Sequence, residues 1–358
     1  MKYLLKNKKN IIWLIFFVII IVIFTSCQQQ NDENIDLSKL PQENRTTFAM
    51  NTLIKMKAYG ENAEEVVDKS FARLNEIEDE MSKTVKSSDI YKINQNPQQF
   101  IKVDNDTFTV IKKALEYAEL TDGKFDPTIG SLVDLWGIGT EKARVPSEEE
   151  IIKTKKLVNY QWVRLDKNEK SVKILKPGMK LDLGAIAKGY AADEVRNIIQ
   201  GYNIDSAYIS LGGNVSVVGN KPDGSNWNVG IQDPRLNKAG AMASIGVKNK
   251  TIVTSGNYER YFKENGNIYH HIINPISGYP ARSDVIGVTI VTLDSFDADA
   301  LSTSVFILGL TEGMELIENT EGVEGIIINK DLELFLSSGI KDKVQILDSE
   351  FEINKSKF

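Results

Sequence analysis

DADALSTSVFILG, residues Asp297 to Gly309, is the stretch on which the reading of this 358-residue chain turns. The run predicts a helix, and on a helix Asp299 and Thr303, four apart, share one face one turn apart, with Ser302 beside them. Strand-like runs surround this helix and argue for a mixed α+β body rather than alternating βαβ units. A carboxylate and hydroxyls on one face suit a hard cation. The chain holds two histidines and one cysteine, so a zinc or iron site of the nitrogen and sulfur type has almost no ligands to draw on. Magnesium fits such donors. Because Mg2+ usually bridges one or two carboxylates to the phosphates of a bound substrate, the run predicts a phosphate-bearing ligand.

Working outward, Thr47 to Tyr59 reads as a strand and Ala63 to Met81 as a helix, with Val66, Val67, Phe71, Leu74 and Ile77 spaced for one buried face. Asp106 to Leu120 reads as a second helix ending near the turn signal Asp122-Gly123, and Glu148 to Leu157 as a short charged one. A hairpin is expected from Trp162 to Leu175 and a helix from Gly184 to Ile199. Strands are expected at Ser206–Leu211, Asn214–Val218, Trp227–Ile231, Ala243–Val247, Thr251–Thr254, Val285–Val291, Gly325–Ile328 and Leu332–Leu336. No Rossmann or P-loop signature and no internal repeat is present.

The N-terminus has a different texture. Basic MKYLLKNKKN precedes 14 apolar residues, Ile11 to Phe24, the pattern of an export signal; an uncleaved anchor is the alternative, although a membrane span normally needs ~20 apolar residues. The lone Cys27 in FTSC resembles a lipobox, the other reading being an idle thiol. The expected organisation is a signal peptide over 1–26, a lipid-anchored polar tether over 27–45, one domain over 46–345 and a polar tail over 346–358. Loss of the signal removes Lys2, Lys6, Lys8 and Lys9 and no acid, taking the net charge from -6 to about -10. So acidic a surface makes nucleic acid an unsuitable partner, and an anionic ligand needs a local metal, lysine or helix N-terminus.

Four further motifs carry chemistry. Lys180 to Asp193, KLDLGAIAKGYAAD, reads as a strand end turning into a small-residue helix whose first amides could serve an anion, or whose glycines and alanines simply allow close packing. GKFDPTIG, Gly123 to Gly130, joins an aromatic, a carboxylate and glycines; Asp126 is either a ligand contact or the cap of its own turn. TSGNYER, Thr254 to Arg260, offers hydroxyls and a guanidinium within reach of a phosphate. Tyr269 to Gly278 contains both histidines of the chain, and one of them is a candidate for proton transfer.

FDPTIGSLVDLWGIG, LDLGAIAKGYAAD, SLGGNVSVVG, TSGNYERYF, HIINPISGYP and DADALSTSVFILG stand here in the order and spacing of the FAD:protein FMN transferases, the ApbE family of bacterial lipoproteins, which the chain resembles from about Phe48 to near Leu336. The resemblance implies a T-fold-like α+β protein, with mixed strands and helices in two closely joined lobes and a FAD-binding cleft. It implies Mg2+-dependent cleavage of FAD, attachment of FMN through a phosphoester to a Ser or Thr of an acceptor protein, and release of AMP. Carried over by motif, Asp299, Ser302, Thr303 and the carbonyl of Ala185 resemble metal ligands. Met50, Lys124, Phe125, Asp126, Asp182, Lys188 and Ile273 resemble flavin-nucleotide contacts, and His271 resembles the base that takes the acceptor's proton. Asn51, Thr84 and Asn274 stand where the family more often has glycine, an aromatic and aspartate. The implied partners are acceptor proteins with FMN-binding domains, in membrane redox complexes or extracytoplasmic reductases. The implied place is the extracytoplasmic face of the cell membrane, or the periplasm, through a lipid on Cys27. The rival readings are a Mg2+-dependent FAD pyrophosphatase that frees FMN and AMP, and a non-catalytic flavin-binding lipoprotein.

Overall fold

A computed structural model describes residues 40–236 and 238–355. The expected signal peptide, Cys27 and most of the expected tether lie outside the described residues. Strands β1 (Gln42–Ala49) and β2 (Thr52–Tyr59) open the fold, followed by α1 (Ala63–Met81), α2 (Asp89–Gln95), β3 (Ile101–Lys102), α3 (Asn105–Leu120), α4 (Gly130–Trp136) and α5 (Glu148–Lys155). Strands β4 (Val163–Asp166) and β5 (Ser171–Ile174) form the expected hairpin and lead to α6 (Ala187–Gly201). Then come β6 (Ser206–Leu211), β7 (Asn214–Gly219), β8 (Trp227–Gln232), β9 (Ala241–Val247), β10 (Thr251–Gly256), β11 (Tyr261–Glu264), β12 (Asn267–His270) and β13 (Val285–Thr292). Helices α7 (Ser295–Leu308) and α8 (Leu310–Glu318) precede β14 (Glu324–Asn329), β15 (Glu333–Leu336), β16 (Val344–Ile346) and β17 (Glu352–Ile353).

One nine-stranded sheet, in the order β1-β2-β6-β7-β10-β13-β14-β15-β17, carries the architecture, antiparallel except where β17 lies parallel to β15. Successive side chains of a strand point to opposite faces, and the central strands use both. Val218, Val253 and Ile327 join one apolar cluster with the buried faces of α1, α3, α6 and α7. Their neighbours Val217, Ile252, Ile326 and Ile328 join a second with β8 and β9 of a three-stranded sheet. Burial on both faces explains why VIGVTIVT, β13, is almost continuously apolar instead of alternating. Helix α1 buries Val66, Val67, Phe71, Leu74 and Ile77 along one stripe, as its spacing predicts.

The structure corrects three readings. Thr47 to Tyr59 is not one strand: the chain reverses at Met50 and Asn51, whose φ angles of 51° and 58° make the left-handed pair of a two-residue hairpin. Without glycine at that turn, only Asn51, which tolerates a positive φ, marks it in the sequence. The sheet starts at Gln42, inside the stretch read as tether, because β1 is an edge strand with alternating polar residues and no apolar rhythm to betray it. The stretch after 346 is not simply a polar tail: Phe351 is buried, the Arg235 guanidinium lies 4.7 Å from its ring centre, and β17 pairs with β15.

Helices α6 and α7 meet at Gly189. A methyl group added there would lie 2.2 Å from the Ser295 carbonyl oxygen and 2.7 Å from Asp299 Cβ, so only glycine admits this approach. Asp193 of α6 strengthens the junction by accepting the amides of Ser295 and Phe296, at 3.0 and 2.9 Å, at the start of α7. Gly189→Ala is expected to cost about 1–3 kcal/mol through overpacking, read as a lower midpoint of thermal unfolding. An unchanged midpoint would show that the two helices part freely.

Candidate active site

Helix α7 is apolar almost all round and is buried accordingly, yet it carries Asp299, only 3% exposed. A buried carboxylate needs partners, and the junction with α6 supplies them. Asp299 Oδ2 accepts the amide of Gly189 at 3.0 Å, and Oδ1 lies 3.3 Å from Lys188 Nζ, which also donates to the Gly184 carbonyl at 3.0 Å. Thr303, one turn along, is half-buried and its hydroxyl makes no hydrogen bond among the described residues. Ser302 is fully buried; its hydroxyl lies 2.9 Å from Ser255 Oγ of β10 and donates to the Asp299 carbonyl at 3.0 Å.

The approach to α6 is a turn rather than its first helical residues, because Asp182 Oδ1 accepts the Gly184 amide at 2.9 Å and delays the helix to Ala187. Half-buried Ala185 lies in this turn. The other oxygen of Asp182 pairs with Lys83 Nζ at 2.8 Å, and Lys83 also reaches Asp134 at 3.1 Å. Burial opposes the Lys83 charge, but Asp182 and Asp134 outweigh it and hold its pKa above the ordinary value. Periodicity gave no sign of Lys83, a polar residue just beyond α1.

The GKFDPTIG loop docks on the same turn: Pro127 accepts the Asp182 amide at 2.8 Å, and Gly130 donates to the Lys180 carbonyl at 3.1 Å. Within it, Asp126 is buried; one oxygen accepts from the Thr128 amide and hydroxyl at 2.8 and 2.6 Å, and the other from the Tyr160 amide, 34 residues on, at 2.9 Å. Burial raises its pKa against those hydrogen bonds. Phe125 is buried with its ring edge-on to Tyr117, whereas Lys124 pairs with Glu312. Asp126 thus serves as the cap of its own turn.

The two histidines, adjacent in sequence, are separated in role. His270 Nε2 lies 2.9 Å from the Ala281 carbonyl, and the ring packs edge-on against Phe306. Nδ1 of His271, like that of His270, is sealed from water and has no hydrogen-bond partner among the described residues. Burial, then the nearby charge of Arg260, with His270 and Lys188 adding to it, pushes the His271 pKa down to about 3. It is therefore a neutral imidazole with a free nitrogen. Ile273 is buried beside it in a small apolar cluster with Trp136 and Tyr269, and Trp136 Nε1 donates to the Gly278 carbonyl at 2.8 Å. Met50 reaches this region through the β1–β2 turn, where the Asn51 carbonyl accepts from Arg260 at 2.8 Å.

The structure thus places Asp182, Ala185, Lys188, Asp299 and Thr303 around one helix junction, with His271 close enough for Lys188 to bias its charge. It ties in Met50 through Arg260 and turns Asp126, Lys124 and Ser302 toward partners of their own.

Comparison with known proteins gives this arrangement its context. The profile of the ApbE family matches residues 50–327. A protein of Treponema pallidum named FAD:protein FMN transferase is 33% identical over 336 residues, spanning 89% of this chain and 93% of its own. One of Klebsiella pneumoniae with the same name is 33% identical over 305 residues, spanning 85% and 94%. Among solved structures, the ApbE protein of Thermotoga maritima superposes with a TM-score of 0.79 at 35% identity, covering 85% of this chain and 99% of that one. The flavin transferase ApbE of Vibrio cholerae superposes with a TM-score of 0.77 at 27% identity, over 85% and 99%. With the family profile matched over residues 50–327 and its fold shared along nearly the whole body, this chain belongs to the ApbE family.

Proposed function

We propose that the chain is a FAD:protein FMN transferase that uses Mg2+ and modifies a Ser or Thr hydroxyl of an acceptor protein. The observation that carries this reading is the buried Asp299 carboxylate, set between the Gly189 amide and the Lys188 ammonium in a protein whose relatives bear that name. The donor set suits magnesium. Asp299, Thr303 and the Ala185 carbonyl offer only hard oxygens, Ser302 adds a fourth where it exchanges its Ser255 contact, and no group of three acidic, histidine or cysteine side chains among the described residues could form a closed cage. That is the pattern of an ion completed by substrate phosphates, and Mg2+ bound there would neutralise charge on the pyrophosphate oxygens.

The chain's own groups account for the remaining requirements. Lys188 and the amides at the start of α6 attract the anionic pyrophosphate despite the acidic surface. His271, held neutral, accepts the proton of the acceptor hydroxyl as the hydroxyl oxygen bonds to the FMN phosphorus. The bond from that phosphorus to the bridging oxygen breaks, and AMP leaves with that oxygen. Positioning and charge neutralisation supply most of the acceleration in such transfers. Acceptors are proteins with FMN-binding domains, and a lipid on Cys27 would hold the enzyme at the extracytoplasmic membrane face where such redox proteins work.

Incubation with FAD, Mg2+ and an acceptor domain is expected to give flavin fluorescence on the acceptor after denaturing electrophoresis. Free FMN alone would mean hydrolysis, and persistent intact FAD would mean binding without chemistry. Asp299→Ala is expected to lower transfer by about 10²-fold or more, with the far-ultraviolet circular dichroism unchanged. Full activity of that variant in magnesium buffer would remove the site.

His271→Ala is expected to bind FAD normally and transfer slowly. Since the unliganded imidazole is the proton-accepting form at every pH above about 3, kcat/KM should show no limb near 6.5 from this residue. A wild-type limb near 6.5 that disappears in His271→Ala would contradict the low pKa.

A further inference from the structure

The β1–β2 turn holds Met50 in a conformation that its side chain does not favour, beside Asn51, which tolerates it better. Met50 and Asn51 have φ angles of 51° and 58°, in the left-handed region where a Cβ is crowded. Two charged side chains from remote parts of the chain bind this turn. Glu78, in the last turn of α1, accepts the Met50 amide on Oε2 at 2.8 Å. Arg260, between β10 and β11, donates from Nη2 to the Asn51 carbonyl at 2.8 Å. Neither makes an ion pair among the described residues, although the chain carries 49 acidic and 43 basic side chains. Both direct their charge at backbone groups of the turn, where charge-assisted hydrogen bonds are stronger than neutral ones. Arg260 has a second attachment: its own carbonyl accepts the His271 amide at 3.0 Å, at the base of the β11–β12 hairpin. Its stem also lies where a side chain on Gly139 would touch, with Cδ 3.5 Å from the added carbon.

We propose that Glu78 and Arg260 are positioning residues, which together hold the Met50–Asn51 turn in its left-handed form and, through Arg260, set that turn in register with His271. The inference rests on the flavin-transfer reading, in which the turn contacts FAD and His271 takes the acceptor's proton. A misplacement of about 1 Å between such groups can cost about 10²-fold in rate, so a brace shared by both has a catalytic consequence without touching the reacting atoms. The groups that face His271 electrostatically are Arg260, His270 and Lys188, so Arg260 also helps keep the imidazole neutral.

The test measures FAD affinity by flavin fluorescence with Mg2+ chelated, and the titration of the two histidines by NMR of isotope-labelled protein. Glu78→Ala and Arg260→Met are each expected to weaken FAD binding about tenfold, the loss of one charge-assisted hydrogen bond. Glu78→Gln, which still offers an acceptor oxygen, should keep most of the affinity. Adding Asn51→Gly, which takes a positive φ freely, should restore most of what Glu78→Ala or Arg260→Met lost. Arg260→Met should raise the His271 midpoint and leave that of His270 in place, while Arg260→Lys keeps the His271 midpoint low.

Parental affinity in both Glu78→Ala and Arg260→Met would overturn the proposal. So would losses that Asn51→Gly does not restore, or a His271 midpoint unmoved in Arg260→Met. If the unsubstituted protein binds no FAD even when Mg2+ is supplied, the functional reading itself fails and this inference falls with it; failure among the variants of a protein that does bind FAD removes the brace alone.

Discussion

The meeting of α6 and α7 at Gly189 is the constraint on which the rest depends. Taking a carboxylate out of water costs several kcal/mol unless the protein replaces what water supplied. Here the replacement is one amide at a helix start and one ammonium, and both reach Asp299 because no side chain at position 189 holds the helices apart. The small residues of KLDLGAIAKGYAAD admit two readings, as a ligand-binding helix start or as a packing surface. In the structure their close packing is what brings the Gly189 amide and the Asp299 carboxylate together.

Around that junction the charges are arranged in graded exposure. Asp182, Lys83, Asp134 and Lys180 form a chain of ion pairs along the docked GKFDPTIG loop, with Lys180 reaching Asp134 at 2.7 Å. The more exposed of these pairs contribute little to stability singly, but a linked set fixes the geometry of the loops that bear them. Deeper in, Lys188 and Arg260 lie near a neutral imidazole, so an anion arriving there meets cations on an otherwise acidic protein. This is the local device that a surface of net negative charge requires.

Much of the fold was legible because its signals are local. The apolar stripe of Ala63 to Met81, the strand-like runs after Ser206 and the helix around Asp299 each follow from side-chain spacing within one element, and each is found close to its expected place. The misreadings have physical causes of the same scale. An edge strand of polar residues has no buried face to mark it, a left-handed turn of Met and Asn lacks glycine, and in the tail docked through Phe351 the few apolar residues are scattered among charged and polar ones without a rhythm. Of the site, the motif residues were legible as chemistry but not as geometry. Asp126 could be read as a cap or as a contact; the structure shows it capping its own turn through Thr128 and holding the Tyr160 amide as well.

By itself the sequence determined the mixed α+β class, the elements that carry the chemistry, the one-turn spacing of Asp299 and Thr303 and the scarcity of nitrogen and sulfur ligands. The tertiary structure alone decided which histidine reaches a backbone carbonyl through its ring, where the Ser302 hydroxyl turns, and that Asp182, the Met50 amide and the Asn51 carbonyl find their partners in Lys83, Glu78 and Arg260. The reason is range: spacing reports contacts within a helix or strand, while the bonds from Gly189 to Asp299 and from Arg260 to Asn51 close across 110 and 209 residues and exist only once the sheet has set its strands in order.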